Sequence, residues 1–176
     1  MRRFFKKVIS LALAAALTVS LVPATEFIGI TGSVQAAETL ADDNVQITTD
    51  IVPDIQLCYA LRYIVGGDKY ADITVKDLRT YEGDIDLSAF EDYEKIQSLD
   101  GLGYARKASS IDASKLTRVK QIKDNEFQNC SFTTFGMPVN VVTIGKSAFF
   151  NCTNLTYIDL PDSLTTIQSE AFRNCK

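Results

Sequence analysis

An active site needs an acid, a base, a nucleophile or a metal held in place, and this chain offers few candidates. It has no histidine among its 176 residues, which removes Ser–His and Cys–His nucleophile pairs and His-ligated zinc. Its four cysteines, Cys58, Cys130, Cys152 and Cys175, form no C-x-x-C pair. Gly101-Leu-Gly103 lacks the third glycine and the strand–helix setting of a phosphate loop. Asp68 and Asp72 match positions 1 and 5 of a calcium loop. Tyr70, Ile73 and Arg79 then stand where the pattern needs a ligand, a glycine and a glutamate. Carboxylate pairs such as Asp84 and Asp86 belong to an acidic background and read as solvated. Asn129-Cys-Ser131, Asn151-Cys-Thr153 and Asn154-Leu-Thr156 fit the N-glycosylation pattern. Two of the three are the Asn-Cys step of a longer repetition, so the match is its by-product. The chain therefore reads as non-catalytic, with no cofactor and no metal.

That repetition organises the sequence. Ile144-Gly-Lys-Ser-Ala-Phe149-Phe-Asn151-Cys152 returns as Ile167-Gln-Ser-Glu-Ala-Phe172-Arg-Asn174-Cys175, and a weaker copy runs Ile122-Lys-Asp-Asn-Glu-Phe127-Gln-Asn129-Cys130. The phenylalanines are 22 and then 23 residues apart, a period that means a solenoid. Equivalent positions stack in such an array, so Cys130, Cys152 and Cys175 form a column along its core. Buried free cysteine packs as a small apolar residue, and we read these as reduced packing thiols rather than bridges. Cys58 belongs to a helical pattern and also reads as core. Spacing alone leaves the pairing of the thiols open.

Elements of two kinds must carry the repeats. Ile85-Asp86-Leu87, Ile111-Asp112-Ala113, Phe135-Gly136-Met137 and Ile158-Asp159-Leu160 alternate apolar and polar, with starts 26, 24 and 23 residues apart. Such alternation predicts short strands with one face buried, one per repeat, forming a parallel sheet. Ile96, Leu99 and Leu102 supply the first return arm. Met137-Pro138 through Val141 to Ile144 matches Leu160-Pro161 through Leu164 to Ile167. A short helical turn is expected after each of these arms, at 146–150 and 169–173, with its phenylalanine pointing inward. Upstream, Leu57, Cys58, Leu61, Ile64 and Val65 recur at helical spacing from Pro53 to a Gly66-Gly67 stop. A second helix is expected to start at Thr74, with Asp77 completing a capping pair, and to end by Gly83. These two helices read as the cap that an array requires over its first repeat.

Alternation turns Asp84, Ser110, Thr134 and Tyr157 outward in one column of the sheet, and Asp86, Asp112, Gly136 and Asp159 in the next. If the solenoid has a ligand, this concave face is the expected site. The candidate binding residues are therefore Asp84, Asp86, Ser110, Asp112, Thr134, Tyr157 and Asp159, with Tyr157 the one aromatic among them. The expected partner is a protein or other surface macromolecule.

The first 36 residues carry a different instruction. Arg2, Arg3, Lys6 and Lys7 precede an apolar run over 8–22, Pro23 breaks it, and Val34-Gln35-Ala36 ahead of Ala37 fits a cleavage site. The run is too short for a membrane span, which takes about 20 apolar residues. No membrane span is expected after cleavage. Removing residues 1–36 leaves 14 Lys and Arg against 21 Asp and Glu, a net charge of −7. That balance argues against nucleic acid or an anionic membrane as the partner.

At Leu155-x-x-Ile158-x-Leu160-Pro161-x-Ser163-Leu164-x-x-Ile167-x-x-x-Ala171-Phe172-x-Asn174-Cys175 the chain resembles the BspA-like leucine-rich repeat of bacterial surface proteins. The likeness is most specific from Leu155 to Cys175 and extends back to Ile122. Residues 52–122 resemble the cap and first repeats of internalin-like surface proteins, through Ile73-Thr-Val-Lys-Asp-Leu78 and Ile96-Gln-Ser-Leu-Asp-Gly-Leu102. Ala108 and Ala113 depart from the leucines usual there. These resemblances imply an α/β leucine-rich-repeat, right-handed solenoid with a parallel sheet on its concave face, short helical or irregular outer arms and a small helical N-terminal cap. They imply secretion or display at the cell surface, and adhesion or protein recognition rather than catalysis.

The resulting organisation is a signal peptide over 1–36, a flexible segment over 37–51, a helical cap over 52–83 and about four repeats over 84–176, the last incomplete. The alternative is a structural spacer, or a targeting array for a catalytic domain beyond residue 176. With no capping segment after Cys175, further domains of a longer chain are expected. Amino-terminal sequencing of the exported protein is expected to begin at Ala37, and a surface form that keeps residues 1–36 rules out the signal-peptide reading.

Overall fold

The computed structural model describes residues 43–176, so the signal segment expected over 1–36, its cleavage after Ala36 and the start of the flexible segment, 37–42, lie outside the described residues. The rest of that segment departs from expectation. Ile47 N–H donates to Ile73 O at 2.9 Å and Val75 N–H to Val45 O at 2.9 Å, around an antiparallel bridge between Gln46 and Thr74. Ile47 and Val52 are fully buried, and Arg62 donates from Nη2 to Ile47 O at 2.6 Å. The Ile47 side chain and this set of backbone bonds fasten the segment to the residues that follow it.

Helix α1 spans Ile55–Gly66 and α2 spans Val75–Thr80. Pro53 precedes α1 rather than opening it, because Asp54 is the N-cap. Its Oδ1 accepts from Gln56 N–H at 2.9 Å and Leu57 N–H at 3.1 Å. Gly67, at φ 83°, ends the helix in the left-handed conformation that lacks strain only for glycine. The expected capping box forms, with Thr74 Oγ1 accepting from Asp77 N–H at 3.2 Å and Asp77 Oδ2 accepting from Thr74 N–H at 2.8 Å. The second helix stops at Thr80, before Gly83, as Tyr81 turns extended and its N–H closes onto Leu78 O. Leu57, Leu61, Val75 and Leu78 bury the inner faces of both helices.

The array is built from two parallel sheets. The first contains β1 (Asp84–Asp86), β2 (Ser110–Asp112), β4 (Thr134–Gly136) and β6 (Tyr157–Ile158), in that spatial order. Each strand begins one residue before the apolar–polar–apolar triplet that signals it. Ile85, Ile111, Phe135 and Ile158 share one inward register column. The second sheet contains β3 (Gln121–Ile122), β5 (Thr143–Ile144) and β7 (Thr166–Ile167). It replaces the helical or irregular outer arms expected from sequence. Each of its strands has two residues and one isoleucine, buried at Ile122 and Ile144 and half exposed at Ile167, too little alternation to read as β. The first return arm stays irregular, as three 3-10 turns at Leu87–Ala89, Tyr93–Lys95 and Leu102–Tyr104, with Ile96, Leu99 and Leu102 buried.

No helix forms at 146–150 or 169–173. Each repeat instead carries two left-handed residues four apart: Asn125 and Asn129, Ser147 and Asn151, Glu170 and Asn174, all with φ between 54° and 62°. This backbone alternates its bonds. Phe127, Phe149 and the residues two away on either side donate to the next coil, for example Phe149 N–H to Ala171 O at 2.7 Å. The N–H groups between them close i→i−3 turns, as from Phe150 to Ser147 O at 3.0 Å. An α-helix would consume all of these donors within one coil. The expected inward phenylalanines are present, with Phe127, Phe149 and Phe172 stacked at centroid spacings of 5.2 and 5.1 Å.

The left-handed turn explains the Asn in each Asn-Cys step, since asparagine tolerates that conformation better than other non-glycine residues. Asn151 Nδ2 also donates to Asn129 Oδ1 at 2.8 Å. Replacing Asn151 by Ala is expected to cost about 1–3 kcal/mol in urea unfolding, from strain plus the lost amide bond. Asn151→Gly, which relieves the strain, should lose less. Equal losses for the two variants would exclude backbone strain as the cause.

Candidate binding surface

The sheet register brings the expected surface residues together as two columns. Asp84 pairs with Ser110, Ser110 with Thr134 and Thr134 with Tyr157, while Asp86 pairs with Asp112 and Asp112 with Gly136. Asp159 lies one residue beyond the end of β6, so it extends the second column without joining the ladder. Ser110 is half-buried, the other six candidates are exposed, and Tyr157, the one aromatic among them, is 66% exposed.

These residues differ in what they can offer a ligand. Asp86 Oδ1 accepts from Ser88 N–H at 2.9 Å and Ser88 Oγ at 2.7 Å, which caps the following 3-10 turn. Asp112 Oδ1 likewise accepts from Ser114 N–H at 2.8 Å. Both carboxylates thus close local turns, a common role for aspartate at a strand end. Ser110 Oγ donates to Asp84 Oδ1 at 2.6 Å, tying β2 to β1 across the surface. A Cβ on Gly136 would sit 2.3 Å from Asp112 Oδ1, so glycine leaves the room that this carboxylate fills. Thr134 and Tyr157 stand as direct cross-strand neighbours.

A further column was not singled out by alternation. The residue before each later strand is a hydroxyl donor to the preceding coil: Ser109 to Glu82 O, Thr133 to Ser109 O at 3.2 Å and Thr156 to Thr133 O at 3.4 Å. Its signal in the sequence is a Ser or Thr recurring 24 and then 23 residues on. These bonds hold the entry edge of the surface in register.

The thiols sit away from this face. All four are free, and Cys152 Sγ donates to Phe127 O at 3.0 Å while Cys175 Sγ donates to Phe149 O at 3.1 Å. Burial pushes Cys130 and Cys175 above the usual thiol range, and Cys152 up to about 12. Burial also raises Cys58, against the opposing charge of Arg62. A thiol held protonated is a poor nucleophile and a poor metal ligand. Among the described residues no group of three or more Cys, Asp or Glu is placed to hold a metal ion, and no helix is long and apolar enough to cross a membrane. In the loop that resembles part of a calcium site, Asp68 Oδ1 caps Tyr70 N–H at 2.7 Å.

Three comparisons bear on the array. A family model described as BspA type leucine rich repeat region matches residues 104–176 in six copies. A crystal structure of a T. pallidum leucine-rich repeat protein is 28% identical over 44% of this chain and 35% of that one, with a TM-score of 0.37. The chain thus spans about a third of that protein's length. No curated protein matches the chain.

The thiol environments give a direct expectation. At about pH 8, a thiol reagent should label native Cys175 first, because it alone of the four is half-buried, and should reach Cys58, Cys130 and Cys152 only on unfolding. Alkylation followed by peptide mapping measures this. Fast labelling of Cys152 in the folded chain would contradict the packing column.

Proposed function

Residues 104–176 belong to the BspA-type leucine-rich repeat family, and on that premise we propose that the chain is an exported recognition module displayed at the cell surface. It binds a protein or other macromolecule of a host or neighbouring cell through the outward columns of its four-stranded sheet, without chemistry. One observation carries the reading. Asp84, Ser110, Thr134 and Tyr157 are held side by side at strand spacing on a polar surface. That is a preorganised surface whose side chains lose little freedom on binding. Repeat arrays use their extended sheets in this way. Leucine-rich repeat proteins of this family are typically non-catalytic, and the thiols above supply no nucleophile to set against that.

Tyr157 and Asp159 are the first residues to change. In a pull-down from host or neighbouring-cell surface extracts, Tyr157→Ala is expected to weaken capture about tenfold or more, as truncation of an interface aromatic does. Asp159→Ala should weaken it less. Both variants should unfold at the wild-type denaturant concentration, since both side chains are exposed. Wild-type capture of every partner by both variants overturns the use of this face.

A further inference from the structure

We propose that the outer face of helix α1 is a contact surface for a second copy of this chain, the two helices packing antiparallel across a two-fold axis. The sequence of α1, Ile55-Gln-Leu-Cys-Tyr-Ala-Leu-Arg-Tyr-Ile-Val-Gly66, has no acidic residue and one basic one. A helix at a protein surface normally sets charged and polar side chains on its outer face, whereas one that is apolar all round is a buried helix. Here one side is buried, through Leu57, Cys58, Ala60 and Leu61. The opposite side leaves Ile55 48% and Tyr63 45% exposed. Tyr59 lies between them and meets Tyr70, itself 68% exposed, at 6.0 Å between ring centroids. Arg62, the one charged residue of α1, is committed to the segment before the helix, its Nε and Nη2 donating to Ile47 O at 3.1 and 2.6 Å.

Spacing and charge both point to a second copy as the occupant. Ile55, Tyr59 and Tyr63 stand four residues apart, so they form one stripe along the helix, about 12 Å long. An antiparallel copy brings Tyr59 onto its own equivalent, and Ile55 of each chain onto Tyr63 of the other. The stripe is thus self-complementary, as a two-fold contact requires. The chain carries a net charge of −4, and −7 without residues 1–36, so two copies repel in most orientations. The aspartates of the four-stranded sheet make that face the least suited to such an encounter. The α1 stripe brings no carboxylate, and Lys69, 5.7 Å over the Tyr70 ring, is already neutralised by Glu91 at 2.7 Å.

The area sets the strength. A tyrosine has about 150–250 Å2 to bury, so Ile55, Tyr63 and Tyr70 offer on the order of 300 Å2 per copy at these exposures. A standard interface takes about 800 Å2 per partner, and the dimer is accordingly weak and reversible. None of these residues belongs to the strand columns, so the contact stands apart from the recognition role proposed above.

Sedimentation velocity on the protein as its own cell produces it, from about 1 to about 500 µM, is expected to show a monomer–dimer equilibrium half complete between about 10 and 300 µM. Tyr63→Glu sets a carboxylate against Ile55 of the other copy and should weaken association more than about tenfold, with a near wild-type denaturant midpoint. Should it fail to fold, Ile55→Ser, at the other end of the same contact, takes its place. Tyr59→Cys should form a disulfide-linked dimer under mild oxidation with diamide faster than wild type, in which Cys175 is the one half-buried thiol. A protein that stays monomeric through about 500 µM overturns the proposal. So does a dimer that the stripe substitutions leave intact, or a Tyr59→Cys variant that links no faster than wild type. A monomer that captures a glycan or a different protein on these tyrosines overturns it as well.

Discussion

From Lys120 to Arg173 the main chain bonds from coil to coil along three lines, two in the sheets and one at the turns. In the sheets the coils donate both ways, as parallel ladders do, Gly145 N–H to Ile122 O at 2.9 Å and Ala113 N–H to Gly136 O at 3.0 Å. At the turns the bonds run forward only, as from Ser147 N–H to Ser169 O at 3.0 Å. A buried amide left without a partner costs about 1–3 kcal/mol, so a coil out of step on any line forfeits several bonds together. Variations in coil length must fall between the lines. Ile122 lies eleven residues after Ile111, whereas Ile144 and Ile167 each lie nine after Phe135 and Ile158. The surplus is partly returned after the turn, because Phe135 follows Cys130 by five residues and Ile158 follows Cys152 by six. The longest coil, from β1 to β2, takes up its extra length in 3-10 turns, which owe no bonds to a ladder.

The same constraint decides which residue types recur. The inward phenylalanine fills the coil's width and stacks on its copies, Phe149 on Phe172 within 6° of parallel. The cysteine after the left-handed turn must be small and apolar, yet it lies against the preceding coil's carbonyls. A thiol satisfies both demands, as Cys152 does by donating to Phe127 O. Serine would fit that volume at a higher desolvation cost. A disulfide would need the column's side chains turned toward one another and away from those carbonyls. The reduced state therefore follows from the stacking.

Much of this was legible in the residues, and the parts that were not have physical reasons. The first sheet could be read because three-residue strands still show alternation, and Ile85, Ile111 and Phe135 mark one register column. The start of α2 could be read from Thr74 and Asp77, whose reciprocal bonds are local. The second sheet could not, since Gln121–Ile122 and its counterparts hold one apolar residue each. Ser147 and Glu170 have little preference for positive φ, and tertiary bonding alone places them there, so the turns resembled helix. Asp54 was not singled out at all, yet it caps α1 and its Oδ2 also accepts from Gln97 and Ser98 N–H at 2.7 and 3.0 Å. A bond spanning more than forty residues leaves no mark in a local pattern.

For the binding face, alternation identified which side chains point outward but not which are already engaged. Asp86 and Asp112 each commit one carboxylate oxygen to the turn that follows, and Asp84 is bridged by Ser110. Their charge remains on the surface, but moving any of them toward a ligand breaks a bond the fold uses. If this face binds as proposed, its specificity comes from side chains that the scaffold aligns without engaging. Thr134 and Tyr157 are such a pair, joined in register by β4 and β6, with Asp159 beside them. The aspartates upstream give a fixed negative field that steers encounter, an effect that salt screens. In the proposed recognition role the discriminating contacts fall at Tyr157, where the aromatic is exposed and its backbone is bonded into the sheet.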